Sequence, residues 1–170
     1  MMVTAVAAPR KLDVGAGFSG PEGYERLDKT DVYGAEHVHD ITDIPWPFED
    51  ETFEVLNCSH ILEHIDRSLL VDVMNEMHRV LKPWGELRIE IPVAPHWKAF
   101  ADPTHVSYLV PQTFIYFAGT DMFGYRKLYG IEPWVFPPHV YVDGVMQFRA
   151  DDDGGIMSIM LIKPKENPDE

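Results

Sequence analysis

The stretch SHILEHI, residues 59–65, places His60, Glu63 and His64 in the order H-x-x-E-H. Two imidazoles one helical turn apart can hold a zinc ion, and a carboxylate beside them can act as a base in peptide hydrolysis. That chemistry requires a continuous helix through all of these residues and a third protein ligand. The sequence argues against such a helix, because a strand pattern runs up to this stretch and a helix start follows it at 66–68. We therefore predict a turn whose histidines either pack or contact a cofactor or substrate, and we expect no metal site.

A second candidate site is the glycine-rich segment DVGAGFSG, residues 13–20. Gly15, Gly17 and Gly20 have the G-x-G-x-x-G spacing, which lets a backbone turn sharply and approach a ligand closely. Asp28 ends the next apolar run, where an acid accepts hydrogen bonds from ribose hydroxyls in nucleotide-binding folds. The alternative is that Asp28 caps a turn in an ordinary loop. No Lys-Ser or Lys-Thr follows the glycines, so the pattern does not support a triphosphate-binding loop.

Two further residues could do chemistry. His105 lies in ADPTHVSY, a segment that follows the predicted strand ELRIEIPV. A lone histidine is usually structural, but at this end of a sheet it could take a proton from a nucleophile, since its pKa lies near neutrality. Cys58 is expected to be a small buried residue at a strand end.

Short apolar runs separated by turn signals predict the elements that position these residues. The predicted strands are RKLDV, YERLD, AEHVHDI, TFEVLNCS and ELRIEIPV. An apolar stripe at helical spacing predicts a helix over 69–81, with Asp66 or Ser68 as its cap and KPWG as its stop. HVYVDGVMQFRA and GIMSIMLIKPK, joined by DDDGG, predict a hairpin.

This order predicts an α/β fold, a Rossmann-like and mostly parallel sheet that ends in a C-terminal antiparallel hairpin. The connections FSGPEGYE and KTDVYG are shorter than a parallel crossover normally needs. We therefore expect the first crossover helices to be shortened or missing, with ligands bound at the carboxyl ends of the strands.

The composition sets the broad class. The chain has 170 residues, a formal net charge of −14 and one cysteine. Its length predicts a single domain over 1–170, with a substrate-cap insertion at about 96–141 and a flexible tail at 163–170. The acidic balance disfavours nucleic acid as a partner. No long apolar run or signal-peptide pattern is found, so we expect no membrane segment and a cytoplasmic location.

A series of ordered motifs points to one family. LDVGAG, ERLD, HDITDIPWPFEDETFEVLNCSHILEHI and MNEMHRVLKPWGELRIEIP resemble class I S-adenosylmethionine-dependent methyltransferases. The chain looks most like the compact methyltransferase-domain group that also has a DPTH segment, here residues 102–105. The resemblance covers residues 10–117. It implies S-adenosylmethionine as cofactor and methyl transfer to a small-molecule or protein acceptor.

The resemblance also implies roles for individual residues. The cofactor-binding residues that it implies are Asp13, Gly15, Ala16 and Gly17 at the methionine end, Asp28 at the ribose, Asp40 and Ile41 at the adenine, and Asn57 and Ser59 beneath the sulfonium. If the acceptor is a hydroxyl or a protonated amine, the candidate catalytic base is His105, with His64 and His60 as the other candidates.

Three alternatives remain open at this point. The aromatic residues of 96–141 form either the core of a cap or a substrate pocket. The first predicted strand begins at about residue 10, so a lid over the cofactor must come from elsewhere or from a partner chain, and a homodimer is to be tested. The short crossovers also allow a catalytically weak or inactive methyltransferase-like module that serves as a binding or partner subunit.

Overall fold

A computed structural model describes residues 8–118, 124–137, 141–142, 145–146 and 149–165 of the chain. Its strands are β1 (Lys11–Val14), β2 (Glu25–Asp28), β3 (His37–Val38), β4 (Phe53–Ser59), β5 (Leu81–Pro92), β6 (Tyr141–Val142), β7 (Val145–Met146), β8 (Arg149–Ala150) and β9 (Ile156–Ile162). Seven of them form one sheet in the order β3-β2-β1-β4-β5-β9-β8. β1 to β5 pair in parallel, and β9 is antiparallel to both of its neighbours. The predicted Rossmann-like sheet with a C-terminal antiparallel hairpin is confirmed.

The register of the central strands brings polar residues together at one edge of the sheet. Asp13 on β1 lies opposite Arg26 on β2 and Asn57 on β4. The carboxyl ends of β1, β2 and β4 are therefore adjacent, the place where ligands bind in open parallel sheets. Strand interiors supply the core, since Leu12, Leu27 and Leu56 are fully buried.

Loops replace the first two crossover helices, as the short connections predict. Residues 15–24 join β1 to β2 and residues 29–36 join β2 to β3, and neither described segment contains a helix. Arg26 ties both loops to β2, because its guanidinium donates to the carbonyl oxygens of Gly17 (2.6 Å) and Tyr33 (2.7 Å). These loops are thus held by a side chain rather than by helical hydrogen bonds.

The one long helix among the described residues is α1 (Leu70–Val80), which connects β4 to β5. Asp66 caps the short 3₁₀ turn Arg67–Leu69 that precedes this helix, because its carboxylate accepts a hydrogen bond from the backbone N–H of Ser68 (2.8 Å), whereas α1 itself begins after Leu69 without a side-chain cap. The predicted stripe is confirmed between its ends: Leu70, Val73, Met74, Met77 and Val80 are buried against the sheet. Leu69 is exposed in the 3₁₀ turn, and Leu81 is the first residue of β5. KPWG is not the helix stop that was predicted, since the helix ends at Val80 and KPWG lies within β5.

The last third of the chain differs most from the prediction. HVYVDGVMQFRA is divided into β6, β7 and β8, and β6 pairs with β7 in a separate two-stranded sheet. The predicted hairpin is made by β8 and β9 alone. Short helices α2 (Lys98–Ala101), α3 (Pro111–Ala118) and α4 (Tyr125–Tyr129) lie between β5 and β6. None of the described helices is long and apolar enough to cross a membrane.

The aromatic residues of 96–141 divide into a buried and an exposed group, as far as the described residues go, and a substrate pocket among them stays a prediction. Phe114, Phe117 and Trp134 are buried in the core. Others are exposed and stacked on each other, for example Phe100 on Tyr108, with ring centroids 4.6 Å apart. The segment is therefore part core and part aromatic surface. Most of the predicted tail, 166–170, lies outside the described residues.

Candidate active site

The glycine loop after β1 forms a turn that is fixed from two sides. The backbone N–H groups of Gly15 and Ala16 both donate to the carbonyl oxygen of Leu27 on β2, at 2.8 and 3.0 Å. Gly15 has a φ of +68°, and a Cβ added to it would lie 2.2 Å from Cδ1 of Ile61. No other residue type fits there without moving Ile61, so the loop lies directly against the stretch that follows β4.

Asp28 holds the same loop from the end of β2. Its Oδ2 accepts a hydrogen bond from the backbone N–H of Gly17 (2.9 Å), and its Oδ1 accepts one from Thr30 (3.1 Å). Each carboxylate oxygen can accept a second hydrogen bond, so the group can still bind a pair of hydroxyls. Asp28 thus caps a turn and also lines the cavity with acceptor capacity to spare.

Buried Asp13 and half-buried Asn57 form a pair beneath the loop. The Asn57 side-chain amide donates to Asp13 Oδ1 at 2.6 Å. Burial raises the pKa of the Asp13 carboxyl above its ordinary value, although the hydrogen bond from Asn57 and the charge of Arg26 act in the opposite sense. The pair fixes the carboxyl ends of β1 and β4 relative to each other.

Asp40 and Ile41 follow β3 at the other side of the loop. Asp40 Oδ1 accepts hydrogen bonds from the backbone N–H and the hydroxyl of Thr42, at 2.9 and 2.8 Å. These bonds, the backbone one first, lower the pKa of the Asp40 carboxyl, so it is ionised at neutral pH. An ionised acid beside an apolar side chain suits an aromatic ring that carries an N–H donor.

These groups line one cavity of about 640 Å³. Every residue that the family resemblance implies for the cofactor contributes to its wall: Asp13, Gly15, Ala16, Gly17, Asp28, Asp40, Ile41, Asn57 and Ser59. His60 and His64 line it as well, whereas His105 does not. The sequence reasoning missed several wall residues, namely Phe18, Ser19, Lys29, Thr42, Ile61 and Ile65. The apolar residues in this set, Phe18, Ile61 and Ile65, each lie next to a predicted site residue in the sequence. That adjacency was the sequence signal that could have identified them.

His60 lies at the end of β4 in a left-handed backbone conformation, with a φ of +56°. Its Nδ1 is 3.2 Å from Oε1 of Glu63, whose side chain is 2% exposed. The hydrogen bond to Glu63 raises the pKa of the His60 imidazole. Only Leu62–His64 forms a 3₁₀ turn, so His60, Glu63 and His64 do not share the helix that an H-x-x-E-H zinc site requires.

His64 and His105 lie together although they are far apart in the sequence. Their ring centroids are 4.8 Å apart in an edge-to-face arrangement. The DPTH segment brings His105 to this position, because the N–H groups of Val106 and Ser107 both donate to the carbonyl oxygen of Glu63, at 2.8 and 3.0 Å. His105 therefore lies behind the cavity wall, and the ring of His64 separates it from the cavity.

The comparisons with known proteins agree with this geometry. Residues 23–89 match the family model described as "Methyltransferase domain". No curated protein sequence matches the chain.

Solved structures share its fold. A SAM-dependent methyltransferase from Archaeoglobus fulgidus is 15% identical, with a TM-score of 0.62 over 91% of this chain and 86% of that one. The PH0226 protein from Pyrococcus horikoshii is 16% identical, with a TM-score of 0.59 over 94% and 83%. A methyltransferase crystallised with the Haloferax volcanii Trm112 methyltransferase activator is 14% identical, with a TM-score of 0.57 over 92% and 83%.

The strand order, the cavity at the carboxyl ends of β1, β2 and β4, and the family match all agree with the ordered motifs of the sequence. The resemblance to class I S-adenosylmethionine-dependent methyltransferases is confirmed, and the chain has the fold of that family.

Proposed function

We propose that the chain binds S-adenosylmethionine in the cavity beside the glycine loop and transfers its methyl group to a small-molecule or protein acceptor. One observation carries the proposal: all of the residues that the family resemblance implies for the cofactor line a single cavity. Residues from four separate segments of the chain meet there, which a chance match of short motifs would not produce.

The residues present fit that cofactor. A cavity of about 640 Å³ is within the usual range for a nucleoside-sized ligand. Asp28 presents a carboxylate to a ribose diol, and the ionised Asp40 beside Ile41 suits an adenine. Asp13, buried at the methionine end, offers a negative group for a ligand ammonium. When bound, the cofactor supplies a methyl group on a sulfonium that leaves as a neutral thioether.

The chain's own contribution is alignment and proton acceptance. Methyl transfer depends mainly on placing the acceptor atom in line with the methyl carbon, which the cavity wall can provide. Of the predicted bases, His60 has the best placement, since it lines the cavity and its Nδ1 is held by buried Glu63. Its Nε2 is then free to accept a proton from an acceptor hydroxyl or amine. His105 is set back from the cavity, with its Nδ1 bonded to the carbonyl oxygen of Ala99 (2.9 Å).

Calorimetric titration of the purified protein with S-adenosylmethionine and S-adenosylhomocysteine tests the cofactor proposal. Asp28→Ala removes the ribose acceptor and should weaken binding by roughly 10- to 100-fold, the worth of a charged hydrogen-bond partner. Asp31→Ala, an exposed acid in the next loop, is the matched control and should bind as the wild type does.

No binding at millimolar cofactor would overturn the proposal, and equal affinities for the Asp28 and Asp31 variants would refute the ribose assignment.

A second candidate function is a methyltransferase-like partner subunit. The observation that favours it is the replacement of the first crossover helix by a loop, which removes a helix N-terminus that would attract the cofactor carboxylate. Exposed Phe18 (82%) and Tyr33 (51%), packed edge to face on these loops, offer an apolar contact for a partner or a second copy that closes the cavity. Light scattering with and without cofactor distinguishes a homodimer from a monomer.

A further inference from the structure

A cluster of metal-ligand groups lies beside the proposed cofactor cavity. A carboxylate oxygen of Glu63, a ring nitrogen of His64 and a ring nitrogen of His105 all lie within 4.8 Å of one another. Two imidazoles and one carboxylate are a ligand set that holds zinc in catalytic sites and iron(II) in others. The set differs from the H-x-x-E-H motif, because His105 takes the place of His60.

The buried carboxylate provides an independent reason to expect a cation. Glu63 is 2% exposed, and its Oε2 has no hydrogen-bond partner among the described residues. Its other oxygen, Oε1, contacts Nδ1 of His60. An ionised carboxylate oxygen buried without a partner is costly, whereas a bound metal ion compensates it. Glu63 can therefore hold His60 with one oxygen and an ion with the other.

Both histidines are already held in the orientation that metal ligands adopt. Nδ1 of His105 bonds the carbonyl oxygen of Ala99 at 2.9 Å. Nδ1 of His64 bonds Thr104, with Oγ1 at 3.1 Å and the carbonyl oxygen at 3.3 Å. An Nδ1–H donated to oxygen leaves Nε2 unprotonated, and this is how outer contacts orient metal-binding imidazoles.

The contacts behind Thr104 extend the same arrangement. Oδ1 of Asp102 accepts hydrogen bonds from the hydroxyl and the backbone N–H of Thr104, at 2.6 and 2.8 Å. Because the Thr104 hydroxyl donates to Asp102, it must accept from His64, which fixes the proton on His64 Nδ1. The DPTH segment thus orients one histidine and supplies the other.

We propose that Glu63, His64 and His105 bind one divalent transition-metal ion, with zinc as the reference, next to the cofactor cavity. Tetrahedral zinc holds its ligand atoms about 3.3 Å apart, so the three ligand atoms must approach one another by up to about 1.5 Å on binding. His64 is exposed, which leaves room for this rotation and for a water molecule or an acceptor atom at the remaining position. The proposal goes beyond methyl transfer, since the ion needs neither cofactor nor acceptor to bind.

The test uses tag-free protein that has been stripped with a chelator, titrated with ZnCl₂ by calorimetry and with Co²⁺ by visible absorption. We expect one zinc per chain, a rise in Tm with zinc, and a tetrahedral cobalt spectrum. His105→Ala and Glu63→Gln should each weaken zinc binding by at least about tenfold. His96→Ala is the matched control and should retain it.

Three outcomes would overturn the proposal: no stoichiometric zinc at a large excess over the protein, unchanged zinc affinity in His105→Ala, or an equal loss of zinc affinity in His96→Ala and His105→Ala. Far-ultraviolet circular dichroism of each variant separates loss of a ligand from loss of the fold. Titration of the same variants with S-adenosylmethionine reports on the cofactor cavity separately.

Discussion

At the scale of single residues, Gly20 shows how closely the glycine loop covers Asp13. A Cβ on Gly20 would lie 2.1 Å from Oδ2 of Asp13, and that carboxyl group is itself held by Asn57. Neither the buried acid nor its amide partner can move far. A glycine is therefore required at position 20 because the Asp13 carboxylate fills the space where a side chain would lie. The G-x-G-x-x-G spacing alone does not reveal this reason.

Gly20→Ala should displace Asp13 from Asn57. We expect the free energy of unfolding to fall by about 1–3 kcal/mol, the usual range for overpacking a filled site, together with weaker cofactor binding. Chemical denaturation and calorimetric titration measure the two effects. Glu22→Ala, at an exposed position of the same loop, should change neither. Wild-type stability in Gly20→Ala would show that the loop is looser than described.

The cofactor residues could be predicted from the sequence because they follow strand ends in a fixed order. The contact between His64 and His105 could not, because the residues belong to separate loops that meet only when Val106 and Ser107 bond the carbonyl oxygen of Glu63. The left-handed backbone of His60 was equally hidden, since histidine adopts this conformation more often than most residues but still only in a small minority of cases.

At the scale of elements, the loops that replace the first crossover helices depend on Arg26. Its guanidinium donates to carbonyl oxygens in both loops and lies near Asp13. A helix would satisfy such carbonyls within its own backbone. Here one side chain performs that role for two connections.

Arg26→Met should therefore loosen both loops at once. Losing two charge-assisted hydrogen bonds should lower the free energy of unfolding by roughly 2–4 kcal/mol. Amide hydrogen exchange should rise in 15–24 and 29–36 but not in α1. Arg10→Met is the control variant. Arg10 forms an exposed ion pair with Glu25, the neighbour of Arg26 on β2, and exposed ion pairs contribute about 0–1 kcal/mol to stability. Equal losses in the two variants would contradict the role assigned to Arg26.

Strand patterns and the helical stripe predicted β1 to β5 and α1, because each is an apolar segment bounded by turn signals or an apolar stripe at helical spacing. The prediction was wrong in HVYVDGVMQFRA, which was treated as one strand although its Asp-Gly pair is a turn signal. Only the end of this segment, β8, joins the main sheet. Which strand an apolar run pairs with is decided by distant neighbours, here β9, and not by its own alternation.

At the scale of the whole molecule, stability in mild acid is set in part by His78 on α1. Burial lowers its pKa from 6.5 to about 4, with the charge of Lys163 acting in the same direction. Its Nε2 bonds the carbonyl oxygen of Pro133, and its ring packs edge-on against buried Trp134. The folded chain therefore resists protonation of a group that the unfolded chain protonates readily.

As the pH falls, the unfolded chain protonates this histidine before the folded chain does. The contribution of neutral His78 to the free energy of unfolding is therefore fully present above pH 6.5 and decreases as the pH drops toward 4. The loss attributable to His78 should reach up to about 3 kcal/mol at the acid end of this window. His78→Gln keeps a donor for Pro133 but cannot titrate, so its unfolding free energy should vary less between pH 6.5 and 4.5. Parallel curves for the two proteins, measured by urea denaturation, would exclude His78 as the cause.

The cavity residues all come from 13–65, whereas the strands β8 and β9 that complete the sheet come from 149–162. The wall of the cavity is therefore assembled within one stretch of the chain, whose ends meet where Asn57 bonds Asp13 across 44 residues, and it takes no residue from the C-terminal strands. The aromatic surface of 96–141 belongs to a different stretch of sequence. We therefore expect substitutions in the aromatic surface to leave the cavity unchanged. Replacing an exposed aromatic residue such as Trp97 or Tyr116 should alter which acceptor is recognised, while the affinity for the methyl donor stays constant.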